Sequence, residues 1–346
     1  MNPRPFGTAD GLDVHEITIG DGAGLEARII TWGAVLRDLV VPGPAGPAHV
    51  VLGLDTMDGY LRHSRNFGAV VGRYANRIGQ ARFALDGRTV ILVPNEDGST
   101  LHGGPAGFGR RVWTLAGHDA RSVRLSLVSA DGDMGFPGRV EATALYEAVA
   151  PRTLRVTLDA RTDAPTALNL APHTYYNLDG SPDVREHRLE ISAGFVTPTD
   201  PDGIPTGEVR PVAGTRYDFS TPRPIRNVGT YQPLDINFAL AGGQGDGLRQ
   251  AARLRSDRTG TTLDLWTTEP GLQVYDASRV DVPGTSRVDV PGTSPGDVPL
   301  RPFCGVALEP QRFPDGPNHA HFPTALLRPG TLSRQVTEMR FGSERG

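Results

Sequence analysis

The sequence predicts an all-β protein that folds as a large antiparallel β-sandwich or barrel. Three observations predict this fold: apolar and polar residues alternate with a period of two, turn dipeptides recur between these stretches, and long capped segments of 3.6-residue period are scarce. The 43 Gly and 30 Pro residues provide for the many turns of such a fold. No strand–helix alternation is visible, which makes a nucleotide-binding α/β fold a poor match.

The individual strands follow from short stretches of the chain. Residues 153–163, "TLRVTLDARTD", alternate strictly and predict one buried and one wet face. Asp86-Gly87 in "FALDGRTVILV" predicts a hairpin turn, because both residues tolerate a positive φ. Residues 261–275, "TTLDLWTTEPGLQVY", predict strands with a turn at Pro270-Gly271. In "FCGVALEPQRFPDGPNH" a short apolar run predicts a strand that ends on the carboxyl group of Glu309.

The chain shows no break in composition, and we expect a single domain over residues 1–346. One segment is unusual, because "SRVDVPGT" at 278–285 is repeated letter for letter at 286–293. Two copies are too few to stack as a solenoid. The Pro- and Gly-rich composition instead predicts a duplicated loop insertion at 278–293 on the surface, where added loop length changes the entropy of loop closure only slightly. We expect this loop to have no function.

Composition excludes several classes of function. The chain has no lysine, so all 35 basic residues are arginine, and neither a Schiff-base lysine nor a P-loop lysine is possible. Its net charge of −4 gives no indication of a nucleic-acid or membrane partner. The single cysteine, Cys304, cannot form an internal disulfide, and the N-terminal residues lack the apolar core of a signal peptide. We therefore expect a cytoplasmic protein, without a membrane span and without a cofactor or metal.

Several polar residues could carry chemistry, although each alone has a structural explanation. In an all-β protein, polar side chains at strand ends must build a ligand site, because helix N-termini are scarce. The candidates and their surroundings are Asn76 and Arg77 in "GRYANRIG", His102 in "STLHGG", His173 and Tyr175 in "APHTYY", Asp235 in "PLDINF", Gln273 in "GLQVY" and Glu309 in "LEPQRF".

These stretches, together with "ITWGAVLRDLVVP", "DGDMGFPG" and "TPTDPDGIPTGEVRPVAGTRYDF", resemble the aldose 1-epimerase (galactose mutarotase) family in their order along most of the chain. The resemblance implies one large β-sandwich of galactose mutarotase-like topology, with a sugar bound in an open cleft. It also implies interconversion of the α and β anomers of free hexoses such as galactose and glucose. The expected partner is a small aldose, and the expected state is a monomer or weak homodimer.

The resemblance also implies a role for each candidate residue. Glu309 would be the general base and His173 the general acid. The residues that would bind or line the sugar are Asn76, Arg77, His102, Tyr175, Asp235 and Gln273. One departure from the family pattern is Pro172, which stands where the family usually has Asn before the catalytic His.

Ring opening of a hexose needs a base at the O1 hydroxyl and an acid at the ring oxygen O5, so we expect Glu309 and His173 to flank this part of the sugar. Glu309 with an ordinary pKa would be ionised at neutral pH. His173 with an ordinary pKa would be only partly protonated. Either a nearby carboxylate, Glu309 or Asp235, raises its pKa, or it donates as neutral imidazole.

Other interpretations stay open at this point. A glycoside hydrolase could use Glu309 and Asp235 as its carboxyl pair. A sugar-binding or sugar-phosphate epimerase relative could share the fold without acting on free sugars. His319 and His321 form a His-x-His pair, as in a cupin-like metal site, although no third ligand lies at a telling spacing.

Overall fold

The computed structural model describes residues 3–43, 46–64, 66–226, 230–242, 245, 247–283, 285–286 and 298–344. Within these residues the first half of the chain forms one α-helix, α1 (Met57–His63), and the strands β1 (Arg4–Ala9), β2 (Leu12–Gly20), β3 (Glu26–Ile30), β4 (Val35–Gly43), β5 (Gly46–His49), β6 (Ala69–Val71), β7 (Arg77–Ile78), β8 (Arg82–Leu85), β9 (Arg88–Ile91), β10 (Thr100–Leu101), β11 (Thr114–His118), β12 (Ser122–Ser129), β13 (Val140–Val149), β14 (Thr153–Thr162), β15 (Thr166–Ala167), β16 (Ala171–His173) and β17 (Tyr175–Tyr176).

The second half continues without a further α-helix in the described residues. Its strands are β18 (Arg188–Ile191), β19 (Ala193–Thr197), β20 (Arg210–Pro211), β21 (Arg223–Pro224), β22 (Asp235–Leu240), β23 (Arg249–Arg255), β24 (Thr261–Thr267), β25 (Gly271–Tyr275), β26 (Thr285–Ser286), β27 (Val298–Pro299), β28 (Val306–Gln311), β29 (Leu326–Leu327) and β30 (Ser333–Ser343).

Most of these strands belong to three antiparallel sheets. A five-stranded sheet has the order β1-β2-β3-β4-β5, and a nine-stranded sheet the order β11-β12-β13-β14-β30-β24-β23-β18-β21. A six-stranded sheet has the order β17-β28-β25-β22-β19-β20. A continuous cluster of buried apolar side chains runs from Ala9 to Phe341 and includes residues of all three sheets. The predicted all-β antiparallel sandwich is therefore confirmed.

Two of the predicted strand features have the expected geometry. Along β14, Leu154, Val156 and Leu158 are buried, whereas the residues between them are partly exposed. Asp86 and Gly87 have φ values of 47° and 78° and connect β8 to β9 as a two-residue hairpin turn. Residue alternation and positive-φ turn residues were sufficient to predict both features.

The predicted strands on either side of Pro270-Gly271 are β24 and β25, which belong to the nine-stranded and the six-stranded sheet, respectively. Two other details differ from the sequence predictions. The chain also forms helix α1, whose N-cap Thr56 accepts a hydrogen bond from the backbone N–H of Gly59. Finally, Glu309 does not end its strand, since β28 continues to Gln311. The sequence suggested a strand end because Glu309 follows an apolar run. In the structure Glu309 lies on the polar face of β28, and Val306 and Leu308 lie on the apolar face.

The duplicated segment is described only in part. Val280 and Val282 of the first copy are buried, and β26 pairs with β27. Gly284 and residues 287–293 lie outside the described residues, so the predicted insertion at 278–293 is seen only at its beginning. Among the described residues, no helix combines the length and the apolar character that a membrane span requires.

Candidate active site

The candidate site is built on one face of the six-stranded sheet. Asn237 on β22 lies opposite Gln273 on β25, which in turn lies opposite Glu309 on β28. Residues directly opposite each other in antiparallel strands point to the same face. These three polar side chains therefore form a row across the sheet, although each strand has apolar residues on its other face.

A second row lies two residues further along the same strands. Asp235 pairs with Tyr275, Tyr275 with Ala307, and Ala307 with Tyr175. Because side chains two residues apart point to the same face, this row and the row of Glu309 belong to one surface. The sheet thus brings together four of the predicted residues from four segments that are distant in sequence.

Glu309 and His173 are neighbours in this site. His173 Nε2 lies 3.5 Å from Glu309 Oε1, and both side chains are almost fully buried, with exposures of 5% and 2%. Glu309 Oε2 has no hydrogen-bond partner among the described residues. The two groups therefore lie side by side, and not on opposite sides of a sugar-sized space as the sequence-based expectation implied.

Burial shifts both pKa values toward the neutral forms. It raises the pKa of Glu309 well above its ordinary value; Asp235 adds to this shift and Arg77 opposes it. Burial also lowers the pKa of His173 to about 4. The pKa of His173 is thus not raised by a carboxylate, as one of the sequence-based alternatives assumed, and neutral imidazole is its resting form. Glu309 does not have the ordinary carboxyl pKa that we assumed.

The backbone around His173 accommodates Pro172. Pro172 lies opposite Val70 in the pairing of β16 with β6, and the backbone N–H of Gly68 donates to the carbonyl oxygen of His173 at 2.9 Å. The ring of His173 stacks on Tyr175, with centroids 5.0 Å apart. The departure from the family pattern therefore leaves the strand pairing and the packing of His173 in place.

His102 is held by the backbone of Asn76. The N–H of Asn76 donates to His102 Nδ1 at 3.1 Å, and the N–H of His102 donates to the carbonyl oxygen of Asn76 at 3.0 Å. Both residues have a positive φ, 61° and 50°, so this reciprocal contact depends on an uncommon backbone conformation. Because Nδ1 accepts, the proton of a neutral His102 is on Nε2. Burial, with His173 and Arg77, keeps the pKa of His102 well below its ordinary value, so this neutral tautomer predominates.

His102, His173 and Glu309 also have ligand atoms within 4.8 Å of one another, a spacing that a metal ion could bridge. A metal at His102 Nε2 would require the proton to move to Nδ1, where the N–H of Asn76 already donates. The hydrogen bond from Asn76 thus opposes a metal at this position. The predicted pair His319 and His321 is engaged elsewhere: His319 Nε2 lies 3.2 Å from Asp315 Oδ2, and His321 Nε2 lies 2.7 Å from the carbonyl oxygen of Gly207.

Arg77 is the positive charge inside the site. Its Nε donates to Glu96 Oε2 at 2.6 Å, and its Nη1 lies 3.9 Å from Asp235 Oδ2. Burial opposes the charge of Arg77, but Asp235, Glu96 and Glu309 hold its pKa above the ordinary value. Asp235 also accepts a hydrogen bond from Gln273 Nε2 at 2.7 Å. The guanidinium is therefore permanently charged and surrounded by carboxyl groups.

These residues surround a cavity of about 310 Å³. Seven of the eight predicted residues line it, and Gln273 lies behind Asp235 and does not. The sequence analysis missed other lining residues, of which the polar or charged ones are Ser64, Asn66, Asn95, Glu96, Arg110, Tyr275 and Arg279. The Asp97-Gly98 turn signal could have drawn attention to Glu96, because a tight turn there returns the chain to His102.

The first copy of the duplicated segment takes part in this cavity. Arg279 and Val280 line it, and the backbone N–H of Arg279 donates to the hydroxyl of Tyr275 at 2.8 Å. The beginning of the first copy therefore packs at the cavity and is not simply a surface loop, whereas the absence of a function stays a prediction. Sequence analysis could not detect this, because the repeat carries no sign of which side chains point inward.

Comparisons with known proteins agree with this architecture. The family model described as Aldose 1-epimerase matches residues 15–340. The aldose 1-epimerase of Escherichia coli (strain K12) is 36% identical over 99% of this chain and 100% of its own length. The galactose mutarotase of Bos taurus is 36% identical over 92% of this chain and 91% of its own length.

Solved structures show the same likeness. The aldose epimerase homologue from C. elegans superposes with a TM-score of 0.86 at 30% identity, covering 96% of this chain and 100% of that one. The galactose 1-epimerase from Lactobacillus acidophilus NCFM gives a TM-score of 0.83 at 24% identity, covering 99% of each chain, and supports the fold alone.

The arrangement of sheets and the polar cavity place the chain among the all-β proteins of the galactose mutarotase-like fold. Within that class, the family match over most of the chain and the 36% identity to full-length relatives decide its membership. The chain belongs to the aldose 1-epimerase family, and it is an isomerase that interconverts the anomers of aldoses.

Proposed function

We propose that Glu309 and His173 are the base and acid of this anomer interconversion, acting on free hexoses such as galactose and glucose. The observation that carries the assignment is the 3.5 Å separation of His173 Nε2 and Glu309 Oε1 beside the cavity. O1 and O5 of a pyranose are bonded to the same carbon, so two neighbouring groups such as these can reach both oxygens at once. The choice of galactose follows the names of relatives such as the mutarotase of Bos taurus.

The shifted pKa values define how the pair works. When the pair holds one titratable proton, that proton is on either Glu309 or His173. The pair is then either neutral (protonated Glu309, neutral His173) or ionic (Glu309 carboxylate, His173 imidazolium). The two forms contain the same number of protons, so they belong to one coupled titration. Burial favours the neutral form, and the ionic form is the one that can remove a proton from O1–H and donate one to O5.

Each chemical step then balances. The carboxylate of Glu309 takes the O1 proton, the C1–O5 bond breaks as C1=O1 forms, and His173 gives its proton to O5. Rotation about the C1–C2 bond presents the other face of the aldehyde. His173 then takes the proton back from O5, the C1–O5 bond forms again, and Glu309 returns a proton to O1. The protein ends with the protons it had at the start.

The remaining groups hold the sugar. His102 offers the Nε2–H that its contact with Asn76 enforces, and Arg77 offers further donors. Asp235 can accept from hydroxyls, while Gln273 orients it from behind. Tyr175 supports the ring of His173. A buried set of donors and acceptors of this kind discriminates between sugars by leaving unmatched groups unpaired.

The experiment is polarimetry of freshly dissolved α-D-galactose, α-D-glucose and other aldoses, with an assay for released reducing ends in parallel. We expect a faster approach to rotational equilibrium and no release of reducing ends from glycosides. Release would favour a hydrolase that uses Glu309 and Asp235. Binding without faster equilibration would favour a sugar-binding relative.

We further propose a single domain, in a cytoplasmic protein that is a monomer or weak homodimer. The continuous apolar core from Ala9 to Phe341 supports the first point. The single, buried cysteine, Cys304, suits a reducing compartment. Sedimentation at several protein concentrations measures the oligomeric state.

A further inference from the structure

Glu96, which the sequence analysis did not single out, reaches the cavity from a rigid turn. Asp97 and Gly98 have φ values of 43° and 80°, the geometry of a type I′ hairpin turn. The N–H of Ser99 donates to the carbonyl oxygen of Glu96 at 2.7 Å, and the N–H of Glu96 donates to that of Ser99 at 3.1 Å. The turn therefore fixes where the side chain of Glu96 begins.

The same turn is tied to His102. The side-chain amide of Asn95 accepts from the N–H of Leu101 at 2.7 Å and donates to its carbonyl oxygen at 3.0 Å. Leu101 in turn pairs with Arg77 in the ladder between β10 and β7. The hydrogen bonds within segment 95–102 thus fix Glu96 and His102 relative to each other at the cavity, and the pairing of Leu101 with Arg77 fixes both relative to Arg77.

The guanidinium of Arg77 is confined from two directions. Glu96 Oε2 accepts from its Nε at 2.6 Å. On another side lies Gly203, with a φ of +80°; a Cβ built at this glycine would lie 3.1 Å from Arg77 Cζ and 3.2 Å from Nη1. Arg77 is only 8% exposed, whereas Glu96 is 29% exposed. With Nε held by Glu96, Nη1 is directed toward Asp235, 3.9 Å away.

We propose that Glu96 is a positioning residue that aims Arg77 at the sugar and balances its charge against the acid–base pair. This inference rests on the proposed function of Glu309 and His173. A purely structural role of this pair would change the stability of the protein and leave the pH dependence of turnover in place. A positioning role instead predicts two separable effects. The charge of Glu96 changes the pH dependence of kcat, and the hydrogen bond from Arg77 to Glu96 changes KM.

The charge effect has a defined direction. The other titratable and charged groups that line the cavity with Glu309 are Arg77, Glu96, His102, Arg110, His173, Tyr175, Asp235, Tyr275 and Arg279. Arg77 lowers the pKa of Glu309, and Glu96 partly neutralises Arg77. Removing the charge of Glu96 therefore strengthens the effect of Arg77, and the Glu309–His173 pair loses its last proton at a lower pH.

The test compares Glu96→Gln, which removes the charge but keeps an acceptor, with Glu96→Asp, which keeps the charge but shortens the reach. In Glu96→Gln we expect the alkaline limb of kcat against pH to move down by roughly half a pH unit, the order of magnitude for one screened charge near a buried carboxyl. We expect KM to rise several-fold. In Glu96→Asp we expect KM to rise while the limb stays in place.

Glu338→Gln is the matched control, because Glu338 is likewise paired with arginines, Arg155 and Arg340, but does not line the cavity. It should leave both KM and the pH profile unchanged. An unmoved or upward-shifted limb in Glu96→Gln, with wild-type KM, would overturn the inference. Full turnover in Glu309→Gln would instead overturn the proposed function, so the two failures are distinguishable.

Discussion

Replacing Glu309 with glutamine removes the proposed base while keeping the shape of a side chain that is 2% exposed in the middle of β28. A positioned general base contributes roughly 10²–10⁴-fold to a rate, which corresponds to about 3–5 kcal/mol of transition-state free energy. We therefore expect kcat to fall by about that factor, with sugar binding retained. Polarimetry gives the rate, and equilibrium titration with the sugar gives the affinity.

The same substitution lowers activity but should raise the stability of the folded protein relative to the wild type as pH rises. The pKa of Glu309 is raised in the folded protein, so its stabilising contribution is complete below the unfolded-state pKa and is lost as pH rises toward the folded-state pKa. In that window the unfolding free energy of the wild type falls by about 1.4 kcal/mol per pH unit from this group. Glutamine does not titrate, so the variant should lack this slope and gain stability relative to the wild type as pH rises.

Urea unfolding at a series of pH values measures this slope, with Glu338→Gln as the control for removal of a buried glutamate elsewhere. A Glu309→Gln enzyme that turns over at the wild-type rate would refute the base assignment. A variant that loses activity together with several kcal/mol of stability at every pH would show that Glu309 has a structural role instead.

Three further predictions concern the same site. The pH profile of kcat should be bell-shaped. Its acid limb should lie near pH 4, where His173 gains a proton while Glu309 is already protonated, and its alkaline limb is set by the raised pKa of Glu309. A loss of activity centred near pH 6.5, as for an ordinary histidine, would contradict this prediction. His173→Gln should lower kcat by about 10²–10⁴-fold with little change in affinity, measured by polarimetry. Asp235→Asn should raise KM more than it lowers kcat, because it weakens a sugar contact and leaves the acid–base pair intact; the reverse pattern in steady-state kinetics would cast Asp235 as a reacting group.

Sequence alone predicted the residues of the site better than their arrangement. Seven of the eight predicted residues line one cavity, because each lies in a stretch that resembles the family. Gln273 was grouped with them although it supports Asp235 from behind. Its position became clear only from the pairing of β22 with β25 across 38 residues of sequence.

Glu96 shows why the rest could not be predicted. The position of Glu96 follows from a local turn, but its partner Arg77 lies 19 residues earlier in the chain. The effect of Glu96 on the site also depends on Asp235, which lies near Arg77 and belongs to another sheet. Arg279 and Val280 were assigned to an inert repeat, because a duplicated sequence gives no information on which copy packs against the cavity.

The sequence by itself determined the all-β class and the hairpin at Asp86-Gly87, since these depend on alternation and turn chemistry. Its resemblance to the family singled out Glu309 and His173 as the proposed reacting groups. Only the tertiary structure decided that Glu309 and His173 are adjacent and that burial shifts both toward their neutral forms. The physical reason is that a pKa depends on the surrounding dielectric and charges, and these are assembled from strands that are distant in sequence.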